Sequence, residues 1–100
     1  MPLIKIATTT ELNPGQGKPV VANGKPLALF NVAGTFFCID NTCCHVGGPL
    51  GEGSLEGTTV VCPWHGWEFN VTTGECLMPG GAKVQSYKVE VQGKDVLVEI

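Results

Sequence analysis

Arginine is absent from this chain of 100 residues; its six basic residues are all lysines, set against nine carboxylates for a formal charge of −3. A nucleic-acid binder needs a basic patch to neutralise phosphates, and base edges are read most often by arginine, so nucleic acid is not expected as a partner. Long apolar runs are missing too. Nowhere do about 18 consecutive apolar residues occur, and the N-terminal MPLIKIATTTEL has no basic segment leading into an apolar stretch. The expectation is a soluble, unexported protein of the cytoplasm with no membrane partner. Histidine occurs only at positions 45 and 65, which confines any imidazole chemistry to two places. Long helical periodicity is also lacking, which removes bundles and helical arrays from consideration.

Glycine and proline are plentiful, with fourteen and seven residues, and they punctuate short apolar segments. These segments predict strands at Leu3 to Ala7, Pro19 to Ala22, Leu27 to Val32, Thr35 to Ile39, Thr58 to Cys62, Trp67 to Asn70, Val84 to Gln92 and Asp95 to Ile100. Gly93-Lys94 joins the last pair as a hairpin, Ala33-Gly34 suggests a second, and Thr10 to Leu12 suggests a short helical turn. The fold class implied is all-β and antiparallel, a single domain of residues 1–100. Between Asp40 and Asn70 alternation fades and glycines crowd, as in an insert carried by framework strands.

Five cysteines, an odd number without an export signal, favour metal binding over a disulfide framework. Cys43 and His45 form C-x-H; after sixteen intervening residues Cys62 and His65 form C-x-x-H. Thiolate and neutral imidazole together bind zinc, copper or iron. Two buried thiols and two hydrogen-bonded histidines are the bland alternative, but two glycine-flanked pairs in loops weigh against it. A structural zinc site usually keeps both cysteines in one knuckle and both histidines on one helix. Here each loop brings one of each, an arrangement suited to a two-iron cluster with inequivalent ends.

The run Cys43-x-His45-x-Gly47, Pro49-Leu50, Gly53, Gly57, Cys62-Pro63-x-His65-Gly66, Phe69 and Thr73-Gly74 resembles the Rieske iron–sulfur domain, in particular the small Rieske-type ferredoxins. The resemblance implies the Rieske fold: an antiparallel β-sandwich base with an inserted cluster-binding subdomain at about residues 40–70. It implies a Rieske-type [2Fe-2S] cluster, with Cys43 and Cys62 on the inner iron and His45 and His65 on the outer one. Pro79-Gly80-Gly81 resembles the proline-containing loop that covers the cluster. High-potential members add a disulfide-forming cysteine to each loop, and a serine and a tyrosine whose hydroxyls reach the cluster sulfurs. The matching positions here are Gly48, Trp64, Trp67 and Phe69, so a potential near the low end is expected, on the order of −150 mV. Cys44 and Cys38 are taken as spectators, and a Cys38–Cys76 bridge stays open.

A Rieske oxygenase needs two further histidines for its catalytic iron, and none is left over, so the chain is not a whole oxygenase or an enzyme in its own right. The resemblance implies a one-electron carrier between a flavin-dependent NAD(P)H reductase and a terminal oxygenase or other acceptor. The alternatives are a non-catalytic subunit of a larger oxidoreductase, such as the nitrite reductase small subunit, and a structural zinc module. Every lysine lies at or before Lys25 or at or after Lys83, while Asp40, Glu52, Glu56, Glu68 and Glu75 occupy the span between. A basic docking surface on the partner is therefore expected.

Overall fold

The computed structural model describes residues 3–42, 49–64, 66–79 and 81–100. Among the described residues, ten strands form three antiparallel sheets. β1 (Leu3–Thr8), β9 (Val89–Gln92) and β10 (Asp95–Glu99) form one sheet in the order β1-β10-β9. β2 (Gln16–Ala22), β3 (Lys25–Val32), β4 (Thr35–Asp40) and β8 (Ser86–Tyr87) form the second, in that order. β5 (Ser54–Glu56), β6 (Thr59–Val61) and β7 (Glu68–Asn70) form the third. Two 3-10 turns, Thr9–Glu11 and Leu50–Glu52, complete the regular structure.

β3 explains how these sheets share one molecule. Strand side chains alternate in direction, yet Leu27, Ala28, Leu29 and Phe30 are all fully buried. Leu27 and Leu29 join Phe36, Cys38, Val96 and Val98 in one core, whereas Ala28 and Phe30 join Ile39, Leu50, Val60, Cys62 and Phe69 in another. The second sheet is therefore covered on both faces, by the β1-β10-β9 sheet on one side and the small β5-β6-β7 sheet on the other. A continuous apolar run is the sequence mark of such a strand. Asn31 is the polar exception in this strand: buried, it donates to the Leu12 carbonyl at 2.9 Å and accepts from the Gly34 amide at 2.8 Å. Both halves of its amide are thus engaged.

Both expected hairpins form, with Val32 opposite Thr35 and Gln92 opposite Asp95, and the helical turn falls one residue earlier than expected. Two strand expectations need correction. Val84 to Gln92 is not one strand: it breaks at Lys88, because Ser86 and Tyr87 pair with β4 whereas Val89–Gln92 pairs with β10. β5 was unforeseen, since three residues between glycines are too few to display alternation. The Cys38–Cys76 bridge left open by the sequence is not made. Both thiols are free, and they lie in different cores.

Candidate metal centre

The residues on either side of the first expected ligand segment meet each other. β4 ends at Asp40, Asn41 and Thr42 follow, and Thr42 forms a β-bridge with Pro49. Asn41 closes this neck with two bonds: its carbonyl accepts from the Leu50 amide at 2.7 Å and its side-chain Oδ1 from the Gly51 amide at 2.7 Å. Asn has a second acceptor to offer beyond its own backbone, which is why it suits a position where two amides arrive from across a loop. Cys43 and His45, with Cys44 and Gly48, fall outside the described residues.

The second segment joins β6 to β7. The Cys62 amide donates to the Trp67 carbonyl at 2.7 Å, and the Gly66 amide donates to the Cys62 carbonyl at 3.0 Å. Gly66 takes φ +74°, in the left-handed region that a side chain disfavours. Cys62 is buried at this loop's base, in the core with Leu50, Val60 and Phe69. Trp64 stands 58% exposed at its tip. His65 falls outside the described residues.

Two close approaches bind the segments together. A methyl group on Gly53, just past the first loop, would overlap the Val61 carbonyl just before the second. A methyl on Gly81 would overlap the Cys76 thiol and press on the Trp67 ring. Cys76 and Gly81 therefore lie against the base of the second loop, with the Leu77 amide bonded to the Glu68 carbonyl at 2.8 Å. Pro79 is in this third segment; Gly80 falls outside the described residues.

Of the four expected ligands, only Cys62 is described, and its burial beside an exposed loop tip suits a ligand for the inner of two metal ions. The donor set of two thiolates and two imidazoles, two loops with hydrogen-bonded necks, and glycines that allow backbone close to the loop bases all fit a Rieske-type cluster. Cys38 does not compete. It is 1% exposed, and burial, with a smaller contribution from the charge of Asp40, pushes its thiol up to about 12. It also lies in the core on the opposite side of the second sheet from Cys62. Neither Trp67 nor buried Phe69 carries a hydroxyl to offer a cluster sulfur.

The sequence profile of the Rieske [2Fe-2S] domain matches residues 3–88. The ferredoxin component of a naphthalene 1,2-dioxygenase system from Pseudomonas aeruginosa is 34% identical over 91 residues, covering 90% of this chain and 88% of the relative. The ferredoxin component of biphenyl 2,3-dioxygenase from Rhodococcus jostii (strain RHA1) is 35% identical over 101 residues, covering 100% and 94%. Among solved structures, a chain in the complex of reduced oxygenase and oxidised ferredoxin of carbazole 1,9a-dioxygenase superposes with a TM-score of 0.88 at 34% identity, covering 96% of this chain and 91% of that one. The chain belongs to the Rieske [2Fe-2S] family. Within it, this is a ferredoxin-type electron carrier with a Rieske-type cluster, not a catalytic enzyme.

Among the described residues, no helix is long and apolar enough to cross a membrane. Sequence reasoning missed the bonds that close the first neck, because Asn41 and Thr42 carry no metal-binding chemistry. A lone Asn before a ligand was the available signal.

Proposed function

We propose that this chain carries single electrons from a flavin-dependent NAD(P)H reductase to the terminal oxygenase of a ring-hydroxylating dioxygenase system. The observation that carries this reading is its 34% identity, over 96% of its length, to a chain solved in a complex of oxygenase with ferredoxin. Residues 1–100 act as a single domain, with a cluster-binding subdomain at about 40–70. Cys43 and Cys62 hold the inner iron; His45 and His65 hold the outer one. When bound, the cluster takes up and releases one electron.

The protein's part is to hold two loops at fixed separation and to keep water from the thiolate side. The Asn41 bonds, the Thr42–Pro49 bridge and the Cys62–Trp67 bond support the first task, and the apolar wall of Leu50, Val60 and Phe69 supports the second. The exposed glutamates of the span between Lys25 and Lys83 favour a partner with a basic docking face. Thiols outside the cluster and outside any disulfide, Cys38 and Cys76, suit the reducing cytoplasm, where we place the protein.

Dithionite-reduced protein, purified with its iron, tests the assignment by EPR alongside iron and acid-labile sulfide analysis. The expected result is a Rieske-type signal, lost in C43A, H45A, C62A and H65A and retained in C44A. The midpoint potential is expected near the low end of the Rieske range, on the order of −150 mV. A colourless, EPR-silent zinc protein overturns the reading, and a potential well above zero overturns the argument from the missing hydroxyl and disulfide groups.

A further inference from the structure

Asp40 is the last residue of β4 and lies three residues before Cys43, so chain geometry keeps their Cα atoms within about 11 Å. Both of its carboxylate oxygens are engaged. Oδ1 accepts the Tyr87 hydroxyl at 2.7 Å, with Lys25 Nζ 3.9 Å away; Oδ2 accepts the Gln85 amide at 3.0 Å. Its own amide donates to the Gln85 carbonyl at 2.9 Å. Lys25 Nζ also lies 5.1 Å from the centre of the Tyr87 ring, within cation–π range. One side chain thus ties the stem of the first loop to β8 and to the start of β3.

The tie to β8 reaches further. Just ahead of Gln85, the Val84 amide bonds to the Gly74 carbonyl at 2.9 Å, and Gly81 rests on Cys76 and Trp67. Asp40 therefore joins the segment that enters the first loop to the segment that leaves the third. No bond of this network involves a residue assigned to the cluster. Lys25, half exposed and 3.9 Å from Oδ1, faces this carboxylate, and the charge of a residue so close along the chain to Cys43 acts there by Coulomb's law.

We propose that Asp40 is a positioning residue for electron transfer: held by Tyr87 and Lys25, it fixes the first ligand loop relative to the third, and its charge lowers the cluster's reduction potential. This rests on Cys43 and His45 being ligands. A negative charge near a redox centre opposes the arrival of an electron, so neutralising it raises the potential, and removing Lys25 lowers it. Tyr87→Phe removes a hydrogen bond without changing charge, so it separates position from electrostatics.

The test uses holo protein in four forms: wild type, D40N, Y87F and K25M. Potentials are read by EPR-monitored titration, cluster retention by bleaching of visible absorbance in chelator, and loop anchoring by hydrogen exchange of the peptide covering residues 49–53. D40N is expected to raise the potential and K25M to lower it. Y87F is expected to bleach roughly fivefold faster, as loss of one hydrogen bond at the stem of the first loop allows, with faster exchange at residues 49–53. Unchanged potential in K25M together with unchanged bleaching and exchange in Y87F overturns the proposal, even if D40N fails to fold. Loss of the Rieske signal from wild-type protein itself would instead defeat the ligand assignment beneath it.

Discussion

Glu11 lies at the surface, yet its carboxylate is held by three bonds from two neighbours. Lys18 Nζ pairs with Oε1, the Thr8 amide donates to Oε2 at 2.7 Å and the Thr8 hydroxyl to the same oxygen at 3.1 Å. The Lys18 bond first, then the Thr8 amide, lower its pKa from 4.5 to about 2. A carboxyl with a depressed folded-state pKa adds stability that is present above its unfolded value and is lost as pH falls through the folded one. The window is therefore about pH 4.5 down to about 2. An NMR titration should show Glu11 ionising near the bottom of that window, and K18A should move it up. The stability difference between wild type and K18A should vanish below about pH 2; a difference that persists there would break the assignment. The stability at stake is small, because the pair is exposed and screened by solvent. Nothing in the sequence made Glu11 and Lys18 partners, since they meet only once the β2 strand turns back beside the Thr9–Glu11 turn.

Turns decide where the strands lie, and two of them share a backbone signature. Asn23-Gly24 has φ +53° and +72°, joining β2 to β3; Ala33-Gly34 has φ +50° and +95°, joining β3 to β4. Both are two-residue hairpin turns of the kind that needs left-handed residues, for which Asn-Gly is the favoured pair. Asn23-Gly24 was thus readable in the sequence and went unused, while Ala33-Gly34 was found through its glycine alone. Alanine in the left-handed region costs roughly 1–2 kcal/mol. Ala33→Asn is accordingly expected to stabilise the holo protein by about 1 kcal/mol and raise its thermal midpoint by several degrees. An unchanged or lower midpoint would show that the turn exacts no such cost. The strand framework was legible because alternation and hairpin residues are local signals. β5 was not, because three residues are too few to display alternation; the break at Lys88 and the neck at Asn41 were not, because each is set by a partner elsewhere in the chain. The candidate ligands stand out in the sequence for the opposite reason: coordination chemistry restricts which residue types can serve, and the motif carries that restriction without any structure.

Across the whole molecule charge is segregated, and the register of the small sheet shows on which face. Leu55, Val60 and Phe69 pair across β5, β6 and β7 and point inward to the core. Alternation then turns Ser54, Glu56, Thr59, Val61, Glu68 and Asn70 to the other face. Beyond β7, Phe69 bridges Cys76, so Glu75 and Leu77 flank the same face. Glu56, Glu68 and Glu75 are all exposed, and no described residue forms a salt bridge with them. Leu77 and Trp64, 51% and 58% exposed, lie toward the ligand-loop end. Such a face should attract a cationic acceptor and repel an anionic one, both effects fading with salt. Reduced holo protein mixed with cytochrome c in a stopped-flow instrument should therefore react more slowly as salt rises from roughly 50 to 500 mM. With ferricyanide the rate should rise instead. Two double variants separate the face from the net charge: E68Q/E75Q and E90Q/E99Q each remove two charges, but only the first removes them beside the ligand loops. The salt slope with cytochrome c should flatten more for E68Q/E75Q. Equal flattening would mean that the acceptor senses the overall charge of −3 and not this face, and no dependence on salt would remove electrostatics from docking altogether.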